Sequence, residues 1–201
     1  MIPKTPPVTI TVVGLCIVVY LIMWIFDEEA VVGPLLISEY IRPVLPEIQS
    51  GEIWRLVTPA FIHFGLFHIV FNMLWTWELG RLIEWRQGGI LLGVLLVVMA
   101  AVSNLAQYFV SGPLFGGMSG VVYGLFGYTW LQGITNPQFA VRMNPAVVKL
   151  LLAWFVICWT GILERVFGVA IANTAHTAGL VSGVVLSLLV SGLYRLQKPR
   201  V

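Results

Sequence analysis

The sequence predicts an all-α polytopic membrane protein that crosses the bilayer six times, and three observations predict it. The chain of 201 residues is 59% hydrophobic and only 10% charged, with a mean hydropathy of +0.94. Soluble domains carry roughly 25% charged residues, so a soluble class is excluded at the outset. The apolar residues fall in long unbroken runs, without the apolar–polar alternation of barrel strands. At about 20 residues per span plus connections, the length allows about six helices in a single domain over 1–201.

The first span is expected over Val8–Phe26, preceded by Lys4 and Pro6-Pro7 and ended by Asp27-Glu28-Glu29. Residues 30–60 hold Pro34, Pro43, Pro46 and Gly51 among scattered charges. That segment is too broken to span and too apolar for a plain linker. It reads as short interfacial pieces in the outer leaflet, with Trp54 and Arg55 at headgroup level. The second span, about Leu66–Glu84, is the most polar and carries His68 and Asn72 on one helix face. The third covers about Gly89–Val110. A loop, Ser111–Met118, leads to a fourth run, Ser119–Gln132. Gly133–Asn144 reads as a loop, Val147–Ile162 as the fifth span, and Ala170–Tyr194 as the sixth. Glu78 and Glu84 are expected to pair with Arg81 or Arg86.

Lys and Arg set the orientation. With a cytoplasmic N-terminus, Lys4, Arg81, Arg86, Arg142, Lys149, Arg195, Lys198 and Arg200 lie inside. Arg42, Arg55 and Arg165 then lie outside, which favours six spans with both termini cytoplasmic. The first apolar run lacks a small-residue cleavage site and reads as a retained span. Cys16 and Cys158 sit in separate apolar runs and read as small buried hydrophobes. A net charge of +2 does not suggest nucleic acid.

The fourth run is short, only 14 residues. It would be about 21 Å long against roughly 30 Å of hydrocarbon, so it should start roughly 9 Å below the outer surface. The glycine-rich segment 112–118 must dip to meet it, and irregular backbone at that depth needs burial or a watery cavity. Ser119 then stands at the buried N-terminus of a helix. His176 and Asn72, each about six residues into its own span, reach a similar level. Gly116, Gly120 and Gly124 recur every fourth residue, as do Ala175, Gly179, Gly183 and Ser187. Such stripes let helix backbones approach closely. Ser119 and His176 each neighbour one, so the two side chains are expected to meet. A serine hydroxyl needs an adjacent base to act as a nucleophile, and a histidine inside a bilayer must find a partner. On the residues alone, Asn72 reads as glue between helices and His68 as structural or water-handling. His63 reads as structural or interfacial, and Trp54-Arg55 as scaffold.

At these residues the chain resembles the rhomboid intramembrane serine proteases, in their compact bacterial form. The marks are Trp54-Arg55, His63, His68-x-x-x-Asn72, Gly117-Met118-Ser119-Gly120 and Ala175-His176-x-x-Gly179-x-x-x-Gly183. The resemblance runs from Trp54 onward. It implies a rhomboid bundle and a Ser119–His176 dyad with no acidic third member. It implies that Tyr123 supports the His176 ring, and that Asn72, His68 and backbone N–H groups near Gly116–Ser119, Gly117 among them, form the oxyanion hole. Residues 163–171 would cap the site. Phe71 and Trp154 would line a gap between the second and fifth spans where a substrate helix enters. The expected partners are transmembrane protein substrates and the lipid bilayer, with no cofactor, metal or nucleic acid. The expected location is a bacterial plasma (inner) membrane. The sequence begins almost directly with its first span, so the cytosolic domain that some bacterial members carry is not expected. Two rival readings are a catalytically silent relative that escorts membrane proteins and a small channel or transporter built on the same buried polar cluster. The intact dyad opposes the first, and the lack of a repeated half opposes the second.

Overall fold

The computed structural model describes residues 5–26, 28–41, 44–168 and 170–196. Lys4, Asp27, Arg42, Pro43, Val169, Lys198 and Arg200, which enter the expectations above, lie outside that set. The described residues are helical and contain no strand. In chain order the helices are α1 Pro7–Ile25, α2 Glu28–Val32, α3 Pro46–Gln49, α4 Leu66–Gln87, α5 Gly89–Ser111, α6 Ser119–Thr135, α7 Pro145–Trp159, α8 Ile162–Phe167 and α9 Asn173–Leu196. Among the described residues, α1, α5 and α9 are long and apolar enough to cross a membrane, and α7 is a shorter apolar helix.

Helix α6 is the axis of the bundle. Every residue from Gly120 to Thr129 is buried, as expected of a helix that is apolar on all sides. It packs on α4, α5 and, most extensively, α9. The glycine stripes make that last contact. A Cβ added at Gly179 or Gly183 would collide with the carbonyl oxygen of Gly120 or Gly124. The outer helices turn large apolar side chains outward. Leu15, Val18 and Leu21 on α1, Phe67 and Val70 on α4, and Val181, Val185 and Leu189 on α9 are all exposed. Apolar exposure on that scale is the mark of a lipid-facing surface.

Several boundaries move from their expected places. Helix α6 runs three residues past Gln132, because Gly133 stays helical under the Val141 carbonyl, where a Cβ would stand only 2.6 Å from the oxygen. Its 17 residues make it about 26 Å long, so the expected shortfall against the hydrocarbon narrows. It remains shorter than α4 (22 residues) and α5 (23 residues). Helix α7 ends at Trp159 because Gly161 takes a left-handed φ of +69°, and the following residues form the separate helix α8. Helix α9 starts at Asn173, three residues late: Ala172 packs instead against the cluster of Ile37, Tyr108 and Phe115.

One charged residue also departs from expectation. Glu84 does not pair with Arg81 or Arg86. Its carboxylate accepts from the backbone N–H of Val8 and Thr9 at 2.8 and 2.9 Å and from the Thr9 hydroxyl at 2.7 Å. It thereby caps α1, whose own first-turn N–H groups have no helical acceptor. Arg81 instead pairs with Glu78 at 2.6 Å. Arg55 is buried within the protein. It donates to the carbonyls of Gly33 and Leu36 at 2.9 and 3.0 Å and bonds Glu52 and Glu39 at 2.6 and 3.3 Å. The planar guanidinium fork suits this role, since it satisfies several acceptors of an irregular segment at once. Trp54 beside it is half-exposed. Asn104 donates to the Leu56 carbonyl at 2.9 Å, and the Tyr108 hydroxyl to those of Tyr40 and Val44, which docks the segment on α5.

Candidate active site

Ser119 is the first residue of α6, and His176 is the fourth of α9. The glycine seam holds these two helix ends together, and the Ser119 Oγ lies 2.8 Å from the His176 Nε2. The expected meeting of the two side chains is therefore what the structure contains. It occurs although His176 sits only three residues into its helix, because α9 itself starts late. Ser119 is half-buried, whereas His176 is buried. The other ring nitrogen, Nδ1, is buried and bonds no group among the described residues. No carboxylate among the described residues orients the ring. Tyr123 packs against it, its ring centroid 4.8 Å from that of His176 at 42°. Tyr123 is in turn held edge-on by Phe155 at 5.3 Å, and its hydroxyl donates to the Leu151 carbonyl at 3.4 Å.

The turn ahead of Ser119 presents backbone donors. Gly117 has φ +118°, a conformation that favours glycine. Its N–H donates to the Pro59 carbonyl at 3.0 Å, and that of Met118 goes to the His63 Nε2 at 3.4 Å. Among the described residues, Ser119, Gly120 and Val121 keep their N–H groups without a partner at the helix N-terminus, where the dipole favours negative charge. Of the backbone donors expected over Gly116–Ser119, those of Gly117 and Met118 are thus already engaged.

His68 and Asn72 stand one helical turn apart on α4, facing Gly117. A Cβ on Gly117 would lie 2.5 Å from the His68 Nε2 and 3.7 Å from the Asn72 Nδ2. The Phe64 N–H points to the His68 Nδ1 at 3.4 Å. An N–H only donates, so Nδ1 accepts and a neutral His68 carries its proton on Nε2, aimed at the turn. The Asn72 amide donates to the His68 carbonyl within its own helix at 3.0 Å, and no bond to another helix engages it among the described residues.

Phe71 and Trp154 face each other across the α4–α7 gap, ring centroids 6.5 Å apart and 20° from parallel, both about half-exposed. The expected cap contains α8, and Asn173 ties its far end to the Cys158 carbonyl at 3.1 Å. Among the described residues no group of three or more His, Cys, Asp or Glu gathers as a metal site would require.

One site residue was missed by the sequence reading. Gln107, buried on α5, accepts from the Ala175 N–H at 3.0 Å and so anchors the first turn of the helix that carries His176. The signal was present, since an amide in an apolar span needs a partner.

A serine hydroxyl on an imidazole, beside unpaired N–H groups and two side-chain donors, sits here in a helical bundle with lipid-facing flanks, which defines the class as a membrane protein with a Ser–His pair. The comparisons give the family. The rhomboid-domain family model matches residues 50–193. The chain is 41% identical over 184 residues to "Rhomboid protease GlpG" of Serratia proteamaculans (strain 568), covering 92% of this chain and 63% of the relative. It is 39% identical over 181 residues to the protein of that name from Klebsiella pneumoniae subsp. pneumoniae, covering 90% and 62%. The protein of that name from Salmonella paratyphi A is 39% identical over 184 residues, with 92% and 63% covered. This chain belongs to the rhomboid family. It spans less than two thirds of the length of these bacterial relatives, and it is an integral membrane protein of their kind.

Proposed function

We propose that this chain is an intramembrane serine endopeptidase that cleaves transmembrane segments of membrane proteins. The observation that carries the reading is the 2.8 Å contact between Ser119 Oγ and His176 Nε2 at the start of a buried helix. His176 takes the Ser119 proton as the hydroxyl oxygen attacks a substrate carbonyl. The negative charge that develops on the carbonyl oxygen is held by the Ser119 N–H and by the side chains of His68 and Asn72. The tetrahedral adduct collapses to an acyl-enzyme. His176 returns its proton to the leaving amine and then activates a water that releases the second fragment. Tyr123 replaces the orienting carboxylate of a triad. No step calls for a metal or a cofactor.

The chain forms one unit of six spans: α1, α4, α5, α6, α7 and α9. Both termini are cytoplasmic, in the plasma (inner) membrane of a bacterium, and the site opens toward the outer face. Substrate helices enter between α4 and α7, past Phe71 and Trp154. A helix hides its carbonyls in its own hydrogen bonds, so substrates carry small or helix-weakening residues near the outer face, where they unwind.

The test is labelling by a fluorophosphonate together with cleavage of a reconstituted transmembrane substrate. The native chain should label and cleave, and Ser119→Ala should do neither. Labelling at a different serine, or cleavage that survives Ser119→Ala, would overturn the reading.

A further inference from the structure

His63 is the third histidine of the chain, and the reaction read above gives it no role. It lies in the turn between the Thr58–Phe61 3-10 helix and α4 and is only 1% exposed. Its Nδ1 lies 3.1 Å from the Phe61 carbonyl oxygen. A carbonyl only accepts, so Nδ1 carries a proton. The Nε2 lies 3.4 Å from the backbone N of Met118, whose N–H only donates. A neutral ring protonated on Nδ1 satisfies both partners at once, and no other protonation state does. Its face lies against His68, with the ring centroids 5.0 Å apart at 58°. His63 and His68 are thus fixed as opposite tautomers, one accepting from the turn before Ser119 and the other aiming its N–H at that turn.

We propose that His63 is a positioning residue for the acyl-transfer site: it fixes the peptide that precedes Ser119 and the ring of His68, and so aims the oxyanion donors. The inference rests on the Ser119–His176 reading. Taking up the Met118 N–H sets the rotation of the Gly117–Met118–Ser119 turn. The next N–H, that of Ser119, is then the first free donor of α6. Burial, with the neighbouring His68 adding to it, pushes the His63 pKa down to about 4, so the ring stays neutral and able to accept at neutral pH. Misplacing donors by about 1 Å lowers turnover by roughly 10² without altering where substrate binds.

The experiment compares His63→Gln with His63→Asn in reconstituted full chain. Gln places an acceptor at the reach of Nε2, whereas Asn reaches only as far as Nδ1 and keeps the Phe61 contact alone. His63→Asn should lower kcat about tenfold or more with KM little changed, and His63→Gln should recover most of it. The rate of fluorophosphonate labelling should follow the same order. Equal rates for the two variants, or a loss carried by KM, overturn the proposal. The nitrogen-15 spectrum of native His63 provides a test that needs no variant to fold. A protonated Nδ1 with a bare Nε2 is expected, and the reverse tautomer or a charged ring at neutral pH overturns the proposal. If Ser119 in the native chain fails to label, the acyl-transfer reading fails. If it labels and the two His63 variants do not differ, this inference fails alone.

Discussion

Asn72 shows what a single side chain is expected to contribute. A buried amide on α4 has two readings, donor to an oxyanion or tie between helices. Its Nδ2 bonds the His68 carbonyl of its own helix and faces Gly117, which favours the first. Removing one oxyanion donor from a soluble serine protease costs roughly 10²–10³ in kcat. In the proposed mechanism His68 and the Ser119 N–H share the charge, so Asn72→Ala should cost about tenfold to a hundredfold, in kcat and not in KM. A melting curve measured beside the kinetics decides the matter: a variant that unfolds, or one altered only in KM, returns Asn72 to a structural role. Gly117 is the stricter case. Its φ of +118° and the 2.5 Å between an added Cβ and the His68 Nε2 leave no room for Ala. Gly117→Ala should therefore cost more activity than Asn72→Ala, because it disturbs the turn and His68 together. His63 adds a pH dependence. Its folded pKa of about 4 lies below the ordinary value of 6.5. The unfolded chain therefore takes up a proton that the folded chain refuses, and stability falls as pH drops from about 6.5 toward 4. Thermal midpoints across that window should fall less steeply for His63→Gln than for the native chain.

At the scale of elements, α7 stands apart. Val148, Leu151 and Cys158 are its buried residues, against a continuous buried run in α6. Its ties to the site include the Tyr123 contacts with Phe155 and Leu151, the Phe71–Trp154 stack and the Asn173 bond to the Cys158 carbonyl. With three buried residues in 15, the helix has less to lose on moving aside than α6, which suits lateral entry. Trp154→Ala should keep the fold and maintain or raise cleavage of a membrane-embedded substrate. Complete loss of cleavage in a well-folded variant would count against a gate there. The segment before α4 behaves in the opposite way, being pinned by Arg55. Arg55→Ala strands the carbonyls of Gly33 and Leu36, while the solvent-accessible carboxylates of Glu39 and Glu52 turn to water, and should cost about 2 kcal/mol of stability. The long helices were legible in the sequence because apolar runs and terminal prolines or glycines bound them. The pinned segment was not, because its order comes from Arg55, Asn104 and Tyr108 bonding backbone carbonyls far along the chain. Glu84 was misread for the same reason: Arg81 and Arg86 are near in sequence, but the N–H groups it caps are 75 and 76 residues away. The contact between Ser119 and His176, in contrast, was legible, because each stands beside a small-residue stripe whose period matches a helix face.

Those stripes tie the whole molecule to its chemistry. The proposed nucleophile and base come from different helices, 57 residues apart, and the α6–α9 seam, together with the Gln107 anchor on α5, sets the distance between them. Gly179 lies one turn beyond His176, and Gly120 directly follows Ser119, so the seam begins where the dyad sits. A methyl at Gly179 meets a backbone carbonyl, that of Gly120, and a carbonyl in a helix cannot swing aside as a side chain can. The helices must separate, and overpacking of this kind costs roughly 1–3 kcal/mol. The shift also pulls Ser119 Oγ from His176 Nε2, where about 1 Å of misplacement lowers the rate by roughly 10². Gly179→Ala should therefore lower both the melting temperature and kcat. Gly192 supplies the control: it lies in the same helix, and a methyl there meets nothing within 4 Å. Gly192→Ala should leave activity unchanged, with stability equal or slightly higher, because Ala favours a helix by up to about 1 kcal/mol over Gly. Measuring both variants in the same bilayer separates the seam from helix propensity. If Gly179→Ala and Gly192→Ala behave alike, close backbone approach is not what holds the dyad together.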